Sequence, residues 1–191
     1  MTAAVWVEMR QALAGSLRLA RGDRTALACF DRSLEGFWHS FRAALISYPL
    51  YLILVLLRVS AAEWDASGAF RILAVETIAF VISWVAFALI MLPLARWLDR
   101  EERYFDFMVP YNWCQVPETV LFVAIGMEGA TGLLPLAASG FVEFAAALAV
   151  LAYEWYIARV TLAAGGAAAT VVVLVNLVLG LFVSRVADSL Y

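Results

Sequence analysis

The stretch "DFMVPYNWCQVPETVLFVAIGM", residues 106–127, decides how many times this chain can cross a membrane. A helical span needs about 20 mostly apolar residues, and the stretch is long enough. It also contains two prolines, an Asn, a Gln and a Glu. In a loop these groups need no explanation, but in a span Glu118 would lie near the middle of the bilayer and would need a partner or a function.

The composition favours a span. Hydrophobic residues make up 65% of the 191 positions and charged residues 15%, whereas an ordinary globular domain has about 25% charged residues. This balance is typical of an integral membrane protein, whose first partner is the lipid bilayer. The formal net charge of -3 is too small to indicate a nucleic-acid partner.

Five apolar segments separated by short polar or glycine-bearing breaks predict an all-α, polytopic membrane protein with five transmembrane helices. We expect the spans at about 38–60, 70–98, 106–127, 133–158 and 167–186. Residues 1–36 are predicted to form a short cytoplasmic N-terminal segment, and residues 37–191 the transmembrane domain.

The arginines predict the orientation. All thirteen basic residues are Arg, five of them precede the first span, and Arg96, Arg100 and Arg103 lie between the second and third spans. Because cytoplasmic loops carry an excess of basic residues, we expect a cytoplasmic N-terminus and a periplasmic C-terminus in a bacterial inner membrane.

An apolar stripe precedes the first span. Its members recur at intervals of three and four residues, as on one face of a helix: Leu27, Phe30, Leu34, Phe37 and Phe41. One interpretation is an amphipathic helix along the cytoplasmic surface of the membrane. The other is that the stripe packs against the protein's own spans.

No catalytic constellation is recognisable in the sequence, which predicts a protein that is not an enzyme and uses no cofactor and no metal. His39 is the single histidine, so this chain cannot supply a multi-histidine metal site. The cysteines Cys29 and Cys114 fall in different parts of the predicted topology and are expected to be free thiols.

Polar residues inside the spans are the candidate site. Glu118, Glu143 and Asn176 are predicted at one depth, near the middle of the bilayer. Tyr111 and Gln115 share one side of the third span with Glu118, and Glu154 shares a helical face with Glu143. The cluster could be structural, with neutral acids hydrogen-bonded to Asn176 or to carbonyls freed by the prolines. It could also be a proton or cation relay.

Small residues predict close packing of the fourth and fifth spans. Gly180 and the alanines of the fourth span would allow the two backbones to approach.

The segments 105–122, "FDFMVPYNWCQVPETVLF", and 147–183, "ALAVLAYEWYIARVTLAAGGAAATVVVLVNLVLGLFV", follow a charged connection and resemble the membrane domain of the Yip family. The resemblance is one of hydropathy and spacing and covers about residues 38–186. It implies five spans, a cytoplasmic N-terminus, an outside C-terminus and, in eukaryotic relatives, a role in membrane trafficking. The first 36 residues do not resemble the long N-terminal domain of many eukaryotic members.

These observations favour a non-enzymatic membrane protein that organises or joins other components of a bacterial inner membrane. The expected partners are another membrane protein or further copies of this chain. Two alternatives are a small oligomeric transporter or ion-conducting protein, and an accessory subunit of an energy-transducing complex.

Overall fold

The computed structural model describes residues 3–191, with side chains from residue 5 onward. All regular secondary structure in this range is helical, so the prediction of an all-α fold is confirmed. The eight α-helices are α1 (Ala3–Leu19), α2 (Leu34–Ser40), α3 (Arg42–Arg58), α4 (Ala61–Ser67), α5 (Ala69–Trp97), α6 (Tyr104–Thr131), α7 (Leu136–Thr161) and α8 (Gly166–Asp188). Two 3-10 turns, Arg24–Cys29 and Glu101–Arg103, lie in the connections.

Four segments are long and apolar enough to cross a membrane: α2 together with α3, and the whole of α5, α7 and α8. The stretch 106–127 belongs to α6, which is one continuous helix of 28 residues and not a loop. At 1.5 Å per residue α6 is about 42 Å long, enough for a hydrocarbon layer of about 30 Å. It is not among the four segments because its polar residues lower its mean hydropathy. Four of the five predicted spans are therefore both long and apolar enough to cross a membrane, and the fifth, α6, is long enough only.

The polar composition of α6 has a physical reason in the packing. Twelve of its residues are buried, against three to seven in each of α3, α5, α7 and α8. Neighbouring helices surround α6 on several sides, so a smaller part of its surface has to be apolar.

The five long helices form a ring. α6 packs between α3 and α7, α7 contacts α8, α8 contacts α5, and α5 returns to α3. Long helices that follow one another along the chain are antiparallel, since their connections are short. α3 and α6, which are neighbours in the ring but not in the chain, are therefore parallel. One end of the ring carries α1 and the first residues of α3, α6 and α8, and we call it the α1 end. The opposite end, with α4 and the last residues of α3, α6 and α8, is the far end.

Helix α1 covers its end of the ring. Leu19 is fully buried in the core, and Tyr153 of α7 donates a hydrogen bond to the Ser16 carbonyl oxygen at 2.7 Å. Glu8 accepts a hydrogen bond from Arg42 of α3 at 2.9 Å. These contacts join α1 to the ring through both apolar packing and polar pairs.

The predicted boundary between residues 36 and 37 falls inside α2. Leu19 and Phe30, which precede it, share one buried cluster with Phe107 of α6 and Ile157 of α7. The first 36 residues therefore contribute side chains to the same core as the ring.

The apolar stripe does not form one helix, and this part of the prediction is wrong. The 3-10 turn ends at Cys29, α2 begins at Leu34, and the Ser33 hydroxyl caps α2 by accepting a hydrogen bond from Gly36 N at 3.1 Å. Asp31 also accepts from the backbone of Ser33, and side chains of this kind compete with helical hydrogen bonds. A Cβ at position 36 would lie 1.8 Å from the Asp31 carbonyl oxygen, so this break requires a glycine.

The members of the stripe have different environments. Phe30 and Phe37 are buried against the ring, Leu27 and Phe41 are partly buried, and Leu34 is exposed. Packing against the protein's own helices, the second interpretation of the stripe, describes the two buried phenylalanines.

Gly180 is not at a close helix contact, contrary to the expectation. α7 and α8 do pack against each other, but a Cβ added to Gly180 would meet no atom within 4 Å. The open space is a cavity inside the ring.

Candidate functional site

Two adjoining cavities lie inside the ring. The larger, about 930 Å³, occupies the far half and has walls from all five long helices. The smaller, about 390 Å³, lies deeper and reaches Tyr111 and Glu154. The walls of both include Ser83, Trp84, Gln115, Phe122 and Gly180, so the two form one continuous space. No described residue of α1 lines either cavity, and residues of α1 pack with α6 and α7 in the buried cluster at the α1 end.

Glu154 is the buried acid of the smaller cavity. It lies on α7, its residue is 6% exposed, and Asn176 of α8 donates a hydrogen bond to its Oε1 at 2.8 Å. Within residues 3–191 no hydrogen bond to Oε2 of Glu154 is formed. Both Glu154 and Asn176 line the cavity wall, so this carboxylate is held in place through one oxygen while the other is available.

Helix α6 supplies the polar groups on the other side of the smaller cavity. Gln115 lies close to Glu154, yet its buried Nε2 has no hydrogen-bond partner among the described residues. Tyr111 is buried and its ring lies 4.6 Å from that of Phe87, centroid to centroid. Asn112 donates to the Ser40 hydroxyl at 2.8 Å, which connects this wall to the start of the first long segment.

Glu118 faces a different environment. It is 5% exposed, lines neither cavity, and its buried Oε1 lacks a hydrogen-bond partner in residues 3–191. Glu154 is close enough to interact with it electrostatically. Among the described residues, the hydrogen bonds expected from Glu118 to Asn176 or to a freed carbonyl are therefore not formed.

Glu143 does not join the cluster predicted around it. It is exposed on α7 and lines the larger cavity, where its Oε1 would lie 3.7 Å from a Cβ built on Gly129. Asn176 pairs with Glu154 instead, three helical turns further along the same face of α7. The structure thus brings together Tyr111, Gln115, Asn176 and Glu154, and it separates Glu143 from them.

A third buried acid, Glu76 of α5, was not predicted. It is 1% exposed and accepts hydrogen bonds from Tyr51 of α3, Arg58 of α3 and Tyr191 after α8. Arg58 also donates to Asp188 at 3.0 Å. Burial and the hydrogen bond to Glu76 raise the pKa of Tyr191. This cluster joins three helices at the far end, beside the mouth of the larger cavity.

The sequence holds a signal for that cluster. Glu76 is the one acid in α5, and Arg58 is the basic residue at the far end of the preceding span. An acid inside an apolar segment needs such a partner.

Comparisons of the chain with protein-family models, with curated proteins and with solved structures gave no match.

Proposed function

We propose that this chain is a multi-pass membrane protein that binds a small solute in the cavity of its helix ring and exchanges it with the far side of the membrane. One observation carries the proposal: polar side chains from all five long helices face a continuous cavity, whereas the outward faces are apolar. Intramembrane polar groups that face a cavity mark solute or ion paths in many membrane proteins.

The outward faces support insertion. Large apolar side chains are strongly exposed around the ring, among them Leu45 of α3, Leu89 of α5, Phe141 of α7 and Val178 of α8. A soluble protein rarely exposes apolar surface on this scale. α6 crosses together with the other four helices in this proposal, because it lies within the same ring and is long enough.

The positions of the arginines support the orientation expected from the sequence, with a cytoplasmic N-terminus. Ten of the thirteen lie at the α1 end, while Arg58, Arg71 and Arg185 lie at the far end. The proposal therefore has the α1 end in the cytoplasm and the cavity open to the periplasm of a bacterial inner membrane.

Cysteine accessibility tests the cavity. In a protein with Cys29 and Cys114 replaced by Ser, a cysteine at Thr119, which lines the larger cavity, should react with a water-soluble thiol reagent applied from the far side. A cysteine at Val178, on the outward face of α8, is the control and should stay unmodified. Equal reaction of both residues, or of neither, would contradict a water-accessible cavity inside the ring.

The orientation has its own test in intact cells. A cysteine at Asp65 of α4 should react with a membrane-impermeant reagent from outside, and one at Glu102 should react only after the cells are opened. Reaction of Glu102 from outside would reverse the orientation.

The organising role stays a second proposal, as does the Yip-family relationship. The organising role is supported by an apolar groove of about 140 Å³ on the outside of the ring, where Ile78 and Ile82 of α5 face Phe182 of α8. Purification in mild detergent followed by mass spectrometry tests it. A defined membrane-protein partner would favour an organising component or an accessory subunit, and solute flux in liposomes by the purified chain alone would favour transport.

A further inference from the structure

The smaller cavity combines one available carboxylate with aromatic walls. Glu154 presents its free oxygen, and the rings of Trp84, Phe87 and Tyr111 line the same space. The volume of about 390 Å³ is within the range of about 300–1,000 Å³ that small-molecule sites occupy. The site therefore has the size, the apolar surface and the single charged group of an orienting ligand pocket.

We propose that this cavity binds an organic cation, with an ammonium group at Glu154 and its apolar part against Trp84, Phe87 and Tyr111. The inference rests on the proposed solute-binding function and adds the chemical class of the solute.

The charges around the cavity favour a cation. Of the described residues that line the smaller cavity none is basic, and Glu118 lies behind the wall within electrostatic range of Glu154. Arg58, which lines the larger cavity, is already paired with Glu76 and Asp188. A buried acid without a basic partner is compensated when a cation binds beside it.

The aromatic walls favour the same class of ligand. A cation is attracted to the face of an aromatic ring within about 6 Å of its centre, most strongly by Trp, and quaternary ammonium ligands are recognised in this way. The wall groups nearest the acid are amides, Asn176 and Gln115, which tolerate a cation without repelling it.

The test uses two ligands of the same shape. Choline carries a trimethylammonium group, and 3,3-dimethylbutan-1-ol replaces its nitrogen with carbon, so the pair differs in charge. Benzyltrimethylammonium serves as a third probe that fills more of the aromatic space. Binding is measured by calorimetry on the purified full chain in lipid nanodiscs, together with the melting temperature of every variant.

We expect benzyltrimethylammonium to bind, choline to bind more weakly, and the neutral alcohol not to bind measurably. Glu154→Gln keeps an acceptor for Asn176 and should reduce affinity for the cations about tenfold or more. Glu102→Gln removes a charge of the same sign at an exposed position that lines neither cavity, and should change affinity less than about threefold. Gly180→Leu should abolish binding by filling the cavity, while Val178→Leu should not.

Other outcomes separate the two proposals. Binding of the neutral alcohol as tightly as choline, or cation binding unchanged by Glu154→Gln at an unchanged melting temperature, would overturn the cation assignment and leave the cavity function in place. Failure of all three probes to bind, with Thr119→Cys reacting from the far side, would also overturn the cation assignment alone. Failure of that cysteine to react would overturn the solute-binding function itself.

Discussion

Glu76 at the far end and Glu154 at the smaller cavity are both buried carboxylates, and their surroundings differ. Glu76 accepts hydrogen bonds from three side chains on two different parts of the ring, Tyr51 and Arg58 on one side and Tyr191 on the other. Glu154 accepts one, from Asn176. Burial alone therefore does not separate an acid that holds helices together from one that is available to a ligand, whereas the set of donors does.

The donors of Glu76 come from α3 and from the residue Tyr191 after α8, so the interaction cross-links both to α5. Arg58 also donates to Asp188, which ties the end of α8 to the end of α3. An acid of this kind has no capacity left for a solute. Glu118 is the opposite extreme, because it is equally buried and its Oε1 has no partner within the described chain.

The largest expected effect follows from removing the fully partnered acid. Glu76→Leu leaves Tyr51 without this acceptor, while Arg58 and Tyr191 keep their hydrogen bonds to Asp188. Because the Arg58 side chain is 43% exposed, the cost lies below that of breaking a fully buried pair, at about 2–3 kcal/mol. We expect the free energy of unfolding in mixed micelles to fall by this amount. Glu143→Leu, at an exposed acid, is the control and should change it by less than about 0.5 kcal/mol. A similar small change for Glu76→Leu would mean that the cluster does not join the helices.

The same substitution at Glu118, the acid whose Oε1 has no hydrogen-bond partner among the described residues, should change the free energy of unfolding with the opposite sign. Glu118→Leu removes a buried polar group whose missing hydrogen bond costs about 1–3 kcal/mol, so the free energy of unfolding should stay constant or rise by about 1 kcal/mol. Glu118→Gln keeps a buried polar group and should bring no gain. The structural interpretation of the cluster assumed a hydrogen bond to Glu118 that the structure does not contain, and with such a bond Leu would instead destabilise the bundle.

Function separates the two interpretations of Glu118. In the relay interpretation Glu118→Gln abolishes flux in liposomes with stability intact, since an amide does not exchange protons as an acid does. A loss of more than about 1 kcal/mol in Glu118→Leu would instead indicate that Glu118 is bonded in the folded protein.

Much of the fold was predictable from the sequence because apolar length is a local property. The five predicted segments each coincide with a long helix, with ends that differ by a few residues. The break at residues 30–33 was not predicted, since the periodicity of Leu27 to Phe41 continues across it. There, the competing hydrogen bonds of Asp31 and Ser33 outweigh the apolar pattern.

The site was less predictable because depth along a helix does not specify direction around it. Glu143 and Glu154 share a face of α7, and counting residues from the membrane surface favoured Glu143 as the partner of Asn176. The tilt and register of packed helices select Glu154 instead. Glu76 was missed for a related reason: its donors are 18 to 115 residues away, and no spacing rule connects Tyr191 to α5.

The smallest effect is expected at an acid that is well partnered but exposed, which separates the influence of partners from that of burial. Glu63 accepts hydrogen bonds at 2.7 Å from both the backbone N–H and the hydroxyl of Ser60, in a capping box at the start of α4. Ser60→Ala removes the hydroxyl, and the loss of a helix cap of this type costs about 1 kcal/mol.

The hydrogen bonds from Ser60 lower the pKa of Glu63 below its ordinary value of 4.5. A carboxyl group whose pKa is lower in the folded protein stabilises the fold at pH values above its unfolded-state pKa. This contribution is lost as the pH falls through its folded-state pKa. The difference in melting temperature between the wild type and Ser60→Ala should therefore be constant near neutral pH and shrink below about pH 4.5. A difference that stays constant as the pH falls below about 4 would mean that the contribution of Ser60 does not depend on the charge of Glu63.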